Sequence, residues 1–331
     1  MIKKLSPVFI SLGFILVGAI FWVLQQINQY LEAPRVEETR LFTLEEGRYF
    51  SHLGTQLVAQ GLLDDLTWWK VISKLKPKLT QIKSGTYQLP KDASLEDILT
   101  ILSSGYEYQF KLTFIEGSTY KDWLITLDNA EFLEPLQENE EALLRRLNSP
   151  YSKLEGLLFP ETYHYTANMS AFSLIKKAYD HQNEMLAKLW AERDKGLPYR
   201  TPYQALIMAS IIEKESASSS DRDNIASVFV NRLKIRMRLQ TDPTVIYGMG
   251  DRYDGRIRSK DLKEKTAYNT YTMYGLPPTP IAMPSEGALY AALHPADTDF
   301  LYFVSKGDGT SYFSKSLKEH NNAVNKYIRG R

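Results

Sequence analysis

The sequence predicts an α+β fold made of a single N-terminal transmembrane helix, a small mixed α+β module, and a larger helix-rich domain with a short sheet. Three observations support this prediction. An uncharged apolar run lies near the N-terminus, the order strand, Glu-Gly, helix then occurs twice, and the rest of the chain is rich in proline, tyrosine and glycine between helical stretches. Its 331 residues suffice for about two domains. We expect the three parts to cover residues 1–30, 31–110 and 111–331.

The apolar run VFISLGFILVGAIFWVL, residues 8–24, is long enough to span a bilayer core of about 30 Å. Two lysines precede it and no basic residue follows until Arg35, so the positive-inside rule places the bulk of the chain on the extracytoplasmic side of the cytoplasmic membrane. A cleaved signal peptide is the alternative, but its apolar region is normally about 7–15 residues long and ends in small residues. Here VLQQINQYL follows, which favours a retained anchor, with residues 25–38 as a polar linker.

The small module is predicted to combine strands and helices. TRLFTLEEG is typical of a strand, and a helix is expected over residues 49–60, because Gly61 is the kind of residue that ends one. A strand near Gly85 and a helix capped by Ser94 complete the module. The order strand, Glu-Gly, helix recurs in LTFIEGSTYKDWLITL, either as a second unit or by coincidence. The two tryptophans of LTWWKVISKL are either core residues or part of a glycan-binding surface.

Composition excludes several classes of function. Without cysteine, the chain has no disulfide, no thiolate metal site and no cysteine nucleophile. Its five histidines are scattered and form no HExxH motif, so we expect neither a metal nor an organic cofactor. A net charge of +1 gives no reason to expect nucleic-acid binding.

The stretch ALIMASIIEKES, residues 205–216, ends a run of apolar residues with two acids. Thr201 followed by proline and then glutamine marks the start of a helix just before it. On a helical wheel with Ala205 at zero and about 100° per residue, the apolar face centres at about 270° and includes Glu215. Glu213 lies at about 80°, among smaller residues. A carboxyl held against apolar neighbours has a raised pKa and can donate a proton near neutral pH. Alternatively, the helix end frays and leaves both acids in solvent.

Five motifs occur in the order LEGLLFPETY, MASIIEKES, SVFVNRLKIRMRLQTDPTVIYGMG, AYNTYTMYGLPP and HPADTDFLYFV. Together they resemble the endolytic murein transglycosylase (YceG-like) family, and the resemblance covers essentially the whole chain: anchor, small LysM-like module and catalytic domain. It implies non-hydrolytic cleavage of the MurNAc-GlcNAc β-1,4 bond of nascent peptidoglycan, with 1,6-anhydro-MurNAc ends, and termination of strand growth beside peptidoglycan synthases. The pair Glu215-Ser216 is similar to the Glu-Ser pair that carries the catalytic acid in lytic transglycosylases. Glu213 is the alternative acid.

The resemblance also implies a glycan-binding cleft, for which the polar loops offer amides, hydroxyls and tyrosine faces. The same residue types are ordinary in turns, and Glu161 equally suits a helix cap. Two other functions stay open: a catalytically silent peptidoglycan-binding scaffold for the synthases, and a hydrolytic muramidase whose second carboxylate is Asp242 or Glu161. Arg232 and Arg238 are candidate contacts for peptide-stem carboxylates, or solvated arginines. The substrate-binding candidates are Gln240, Thr241, Asp242, Tyr247, Tyr268, Asn269, Thr270, Glu155 and Glu161.

Overall fold

The computed structural model describes residues 7–215 and 219–330. The chain divides into two compact units, one ending at Phe110 and the other beginning at Lys111. The described residues are rich in helix and contain three two-stranded sheets. The prediction of a helix-rich α+β protein with short sheets is therefore confirmed.

Helix α1 (Pro7–Glu32) is the one described helix that is long and apolar enough to cross a membrane; a signal sequence near the N-terminus passes the same test. Its apolar side chains from Leu12 to Leu24 are mostly exposed. The helix continues into the segment predicted to be a polar linker, and there Ile27 and Leu31 are 4% and 1% exposed in the core of the first unit. The spacing of four residues puts both on one helix face, which explains why a segment of polar appearance packs.

The first unit places helices beside a two-stranded antiparallel sheet. Strand β1 (Arg40–Leu44) pairs with β2 (Gly85–Leu89), with Phe42 opposite Tyr87. The helices are α2 (Phe50–Ala59), α3 (Trp69–Leu75) and α4 (Leu95–Ser104). A reciprocal capping box of Ser94 and Asp97 starts α4, as the sequence predicts.

The tryptophan pair of the first unit belongs mainly to its core. Trp69 is 5% exposed and stacks on Phe50 with ring centroids 4.2 Å apart, and Trp68 packs partly against the same cluster. For Trp69 the structure therefore supports the interpretation as a core residue rather than as part of a glycan-binding surface.

The second unit is predominantly helical, with two small sheets. One sheet pairs β3 with β4, and the other pairs β5 with β6 in antiparallel orientation. In chain order the elements are β3 (Phe110–Thr113), α5 (Tyr120–Asp128), α6 (Glu140–Arg146), β4 (Thr162–Tyr165), α7 (Ala171–Glu192), α8 (Pro202–Glu215), α9 (Arg222–Lys234), α10 (Asp242–Met249), α11 (Glu286–Leu293), β5 (Tyr302–Ser305), β6 (Ser311–Ser314) and α12 (Leu317–Tyr327).

Helix α8 is the central helix of this unit. Every residue from Ala205 to Ile212 is buried, because α7, α9, α10 and α11 pack around it. Both acids of the sequence motif lie in the last turn of this helix, directly after its buried part.

Candidate active site

Glu215, the last described residue of α8 before a gap, lies at the edge of a cavity of about 380 Å³. Residues 216–218 lie outside the described residues, so the serine of the Glu-Ser pair has no position here. The wall of the cavity combines aromatic rings with charged and amide groups. Its lining residues are Glu215, Phe229, Arg232, Gln240, Asp242, Tyr271, Tyr302, Phe303, Leu317 and His320.

The carboxyl of Glu215 is closely surrounded by protein, although the residue as a whole is partly exposed. The hydroxyl of Thr241 donates a hydrogen bond to its Oε1. Burial raises the pKa of Glu215 above its ordinary value, and the negative charge of Asp242 acts in the same direction. The Thr241 hydrogen bond and the positive charge of Arg232 oppose this rise, but burial is the larger effect.

Thr241 is held by a layer of buried threonines behind the cavity. Its backbone N–H donates to Oγ1 of Thr270 at 3.0 Å, and the hydroxyl of Thr244 donates to the carbonyl of Thr241 at 2.7 Å. Thr270 and Thr244 are fully buried, and Thr241 is 2% exposed. Thr241 therefore contacts the acid, whereas Thr270 supports it from behind.

Asp242 begins α10 and faces the same cavity. The hydroxyl of Tyr271 donates to Oδ1 of Asp242 at 2.6 Å. Gln240, two residues earlier, is exposed on the cavity wall with a positive φ of 51°. The loop that precedes α10 thus brings three predicted residues, Gln240, Thr241 and Asp242, to one place beside Glu215.

Arg232 supplies a fixed positive charge to the cavity. Its Nε donates to the carbonyl of Leu301 at 2.7 Å and its Nη1 to the carbonyl of Leu239 at 2.5 Å, and the residue is 7% exposed. The guanidinium also lies 5.3 Å from the ring centre of Tyr302. It is therefore a buried structural cation, not a solvated arginine. Arg238 instead donates to the carbonyl of Tyr271 at 3.2 Å.

Glu213 lies two residues from Glu215 but has a different environment. Its Oε2 accepts hydrogen bonds from the backbone N–H of Ser285, at 3.0 Å, and from the Ser285 hydroxyl. Ser285 in turn caps α11, and Arg222 lies 4.0 Å from the other carboxylate oxygen. The side chain of Glu213 is 9% exposed. The carboxylate thus fixes α8 to the start of α11, and the alternative in which the helix end frays into solvent is wrong.

Glu155 is a second buried acid, and it is not among the described residues that line the Glu215 cavity. It is 4% exposed and accepts hydrogen bonds from the backbone N–H of Tyr120, at 3.1 Å, and from the hydroxyl of Tyr247, at 3.2 Å. Burial raises the pKa of Glu155 to about 8, while these two hydrogen bonds act in the opposite direction. Glu155 and Tyr247, both candidates for substrate contact, are therefore hydrogen-bonded to each other.

The remaining predicted binding residues also make internal contacts. Asn269 is 1% exposed, and its amide nitrogen donates to the carbonyls of Asp261, Leu262 and Glu264. Its side-chain carbonyl oxygen accepts from the backbone N–H of Tyr271 at 2.9 Å, and because the whole amide is buried it is not accessible to a sugar. The amide of Asn269 thus holds the loop that carries Tyr271.

Tyr268 and Glu161 lie apart from the described lining of the cavity. The hydroxyl of Tyr268 forms a hydrogen bond with that of Thr279 at 2.8 Å. Glu161 lies 2.9 Å from Nδ1 of His181. It precedes strand β4, so the alternative role of a helix cap is wrong.

Two aromatic rings of the cavity, those of Tyr302 and His320, were not among the predicted site residues. They reach the cavity from β5 and α12, near the end of the chain, and stack with ring centroids 5.3 Å apart. Tyr302 lies in the motif HPADTDFLYFV, which is the one signal that could have pointed to it, whereas no quoted motif includes His320. Among residues 7–215 and 219–330, no group of three or more His, Cys, Asp or Glu side chains is placed to hold a metal.

The protein thus combines a helix-rich α+β fold with a buried acid, Glu215, beside a cavity of aromatic and polar side chains. The chain belongs to the YceG-like family, whose sequence profile matches residues 42–326, and the resemblance found in the sequence is confirmed. It is 37% identical over 269 residues to an endolytic murein transglycosylase from Bacillus subtilis, an alignment that covers 74% of this chain and 73% of the relative.

Two further comparisons support the assignment. A protein of the same name from Streptococcus pneumoniae is 28% identical over 324 residues, which covers 87% of this chain and 58% of that relative. The chain thus spans less than two thirds of the streptococcal protein. A crystal structure of a YceG-like protein from Listeria monocytogenes has a TM-score of 0.54 at 30% identity, and it covers 86% of this chain and 98% of the other.

Proposed function

We propose that this chain is a lyase that cleaves peptidoglycan: an endolytic transglycosylase acting on the MurNAc-GlcNAc β-1,4 bond and leaving 1,6-anhydro-MurNAc ends. The observation that carries the proposal is the carboxyl of Glu215, buried beside a cavity with aromatic and polar walls and with its pKa raised by burial. A carboxylic acid that keeps its proton near neutral pH is what protonation of a glycosidic oxygen requires. The relatives named endolytic murein transglycosylase support the choice of substrate.

In the proposed mechanism Glu215 acts twice. Its proton passes to the glycosidic oxygen as the bond between that oxygen and C1 of MurNAc breaks. The resulting carboxylate then takes the proton of the C6 hydroxyl of the same sugar, while O6 forms a bond to C1. No water is consumed, and Glu215 recovers its proton. Because the nucleophile is already attached to the sugar, the step benefits from proximity as long as water is kept out.

The neighbours of Glu215 suit both its protonated form and the carboxylate formed during the reaction. The Thr241 hydroxyl can stabilise the carboxylate formed after the first proton transfer, and Arg232 adds a positive charge from a fixed position. Asp242, held by Tyr271, lies in the same cavity and suits the positive charge that develops at C1. Gln240 offers an amide to the sugar groups. We assign no direct substrate contact to Asn269 or Thr270, since both are buried behind the cavity.

The second candidate function is a hydrolytic muramidase. The presence of Asp242 in the cavity of Glu215 favours it, because a second carboxylate can activate water. The two functions differ in their products, since hydrolysis adds a water and leaves a reducing end. A silent scaffold for peptidoglycan synthases is the third reading, and it requires no acid with a raised pKa.

We also propose that α1 is a retained anchor in the cytoplasmic membrane, with the rest of the chain on the extracytoplasmic side. Its exposed apolar side chains support this, because they need an apolar partner, and its last turns belong to the core of the first unit. We further propose that this unit is a LysM-like glycan-binding module, and that the enzyme terminates growing strands beside peptidoglycan synthases.

The test of the proposed function is mass spectrometry of the sugars released from purified peptidoglycan by the full chain in detergent. Products lighter by one water than reducing-end muropeptides are expected. Reducing ends would instead assign the hydrolase, and the absence of any product would assign the scaffold.

A further inference from the structure

His320 lies on α12 and lines the cavity that holds Glu215. Its imidazole stacks on the ring of Tyr302, with an interplanar angle of 26°. The nitrogen Nδ1 is buried and has no hydrogen-bond partner among the residues that the structure describes. The edge of the ring that remains for the cavity is therefore the one that carries Nε2.

The charge state of this imidazole follows from its neighbours. Burial lowers the pKa of His320, and the positive charge of Arg232 lowers it further, so the ring is neutral at neutral pH. A neutral imidazole has a single N–H, on one of its two nitrogens. An orphaned buried N–H is rarer in proteins than an under-satisfied buried acceptor. The proton therefore belongs on Nε2, where a molecule in the cavity can accept it.

We propose that His320 is a substrate-binding residue whose Nε2–H donates a hydrogen bond to an uncharged amide carbonyl of the glycan. This rests on the proposed function for the class of ligand, an N-acetylated glycan. A sugar hydroxyl can also accept this hydrogen bond, but a carbonyl oxygen is an acceptor only and so matches the N–H without a competing proton. The positive charge of the neighbouring Arg232 attracts the oxygen of a carbonyl, which is the negative end of its dipole. The carboxyls of Glu215 and Asp242 are instead suited to accept protons from sugar hydroxyls.

Two kinds of amide carbonyl in peptidoglycan fit this description: the N-acetyl carbonyls on C2 of the sugars, and the carbonyls of the lactyl-peptide stem on MurNAc. They share the same chemistry as acceptors. N-acetylchitotetraose contains only the N-acetyl carbonyl, and purified disaccharide-peptide oligomers contain both. A comparison of these two probes distinguishes the sources.

The test is calorimetric binding of both probes to the full chain in detergent, with Glu215→Gln in every protein to prevent turnover. His320→Leu should weaken binding about 3- to 10-fold, the effect of losing one neutral hydrogen bond. His320→Gln, whose amide also donates, should bind within about twofold of the parent. His164→Leu, a change at an exposed histidine of β4, is the matched control and should change nothing.

Weaker binding of N-acetylchitotetraose by His320→Leu assigns the N-acetyl carbonyl, and an effect seen only with the disaccharide-peptides assigns a carbonyl of the lactyl-peptide stem. If the leucine variant bound both probes as tightly as the parent protein does, the proposal would be overturned. An equal loss in the leucine and glutamine variants would overturn it too, because that pattern marks a packing role.

The tautomer gives a second measurement that needs no variant to fold. Nitrogen NMR of the isotopically labelled chain should show the His320 proton on Nε2 at neutral pH, and a proton on Nδ1 would contradict the inference. Failure of the proposed function is seen separately, in the products of the unmutated chain. If those products lack the anhydro end while binding still depends on His320, the substrate contact stands and the lytic reaction does not.

Discussion

The hydroxyl of Thr241 donates a hydrogen bond to the carboxylate of Glu215, and this bond joins the residue before α10 to the last turn of α8. The bond favours the charged form of the acid, whereas burial favours the neutral form more strongly. The proton affinity of Glu215 is thus set by two opposing effects, and one of them belongs to a single replaceable hydroxyl group.

Thr241→Val removes this hydroxyl while nearly preserving the shape of the side chain. Because the lost hydrogen bond lowers the pKa of Glu215, its removal should raise that pKa further. In the proposed mechanism the protonated acid starts the reaction, so kcat/KM falls as pH rises through the pKa of Glu215. The alkaline limb of the pH profile should therefore move to higher pH in the valine variant.

Thr241→Ser is the matched control for this change, since it keeps the hydroxyl and removes only the methyl group. Its alkaline limb should coincide with that of the unmutated chain. A limb that moves to lower pH in the valine variant, or that moves equally in both variants, would show that the Thr241 hydroxyl does not set the pKa of the acid.

The buried acid Glu155 predicts a pH dependence of stability. Its pKa of about 8 in the folded chain lies above the ordinary value of 4.5, so the folded state binds the proton more tightly than the unfolded state. The resulting stability is fully present below about pH 4.5 and is lost as pH rises through about 8. At about 1.4 kcal/mol per pKa unit, the loss is at most on the order of 5 kcal/mol.

Glu155→Gln should abolish this dependence, because the amide oxygen still accepts from Tyr120 and Tyr247 but carries no titrating proton. Thermal unfolding between pH 6 and pH 9.5 measures it: the melting temperature of the glutamine variant should fall less steeply than that of the unmutated chain. Glu134→Gln, at an exposed position, is the control and should follow the unmutated curve. Parallel curves for the variants at 155 and 134 would place the Glu155 carboxyl in a wetter environment than this structure shows.

The end of α1 predicts where the apolar N-terminus can be removed. A chain that begins at Gln25 keeps Ile27 and Leu31, which are buried in the first unit, and a chain that begins at Arg35 loses both. Full burial of such a side chain contributes about 1.5–3 kcal/mol, so the shorter chain should lose about 3–6 kcal/mol from the unfolding of this unit. Urea unfolding of the two truncated chains measures the difference.

The longer truncated chain serves as the control, because it keeps the two fully buried side chains of α1, Ile27 and Leu31. Equal stability of the two chains would mean that residues 25–34 are a linker after all. Removal of residues 1–30, a natural choice from the hydropathy pattern alone, should destabilise the first unit because it deletes Ile27.

The sequence located the acid helix well but described its surroundings poorly. Periodicity assigned one apolar face to α8, whereas the structure buries the helix on all sides. The face with small residues is covered by α11, whose Ala288, Ala291 and Ala292 are fully buried and permit close packing. A helical wheel contains no information about a partner that lies about 80 residues further along the chain.

The loop residues illustrate a second limit of sequence analysis. Asn269 and Gln240 are both polar residues in loops, and both were predicted to bind substrate. The amide of Asn269 is consumed by three backbone carbonyls, whereas Gln240 lies exposed on the cavity wall. Only the three-dimensional path of the backbone separates the two, since residue type is equally compatible with either role.

The most direct test of the account compares Glu215→Gln with Glu213→Gln in the full chain, by measuring the rate of glycan cleavage and the binding of N-acetylchitotetraose. A general acid contributes about 100- to 10,000-fold, so Glu215→Gln should lower the cleavage rate by at least about 100-fold while binding is retained. Glu213→Gln should stay within about tenfold of the unmutated rate, because its amide oxygen still accepts from Ser285. Loss of cleavage in the Glu213 variant, with cleavage preserved in the Glu215 variant, would contradict the assignment of Glu215 as the acid.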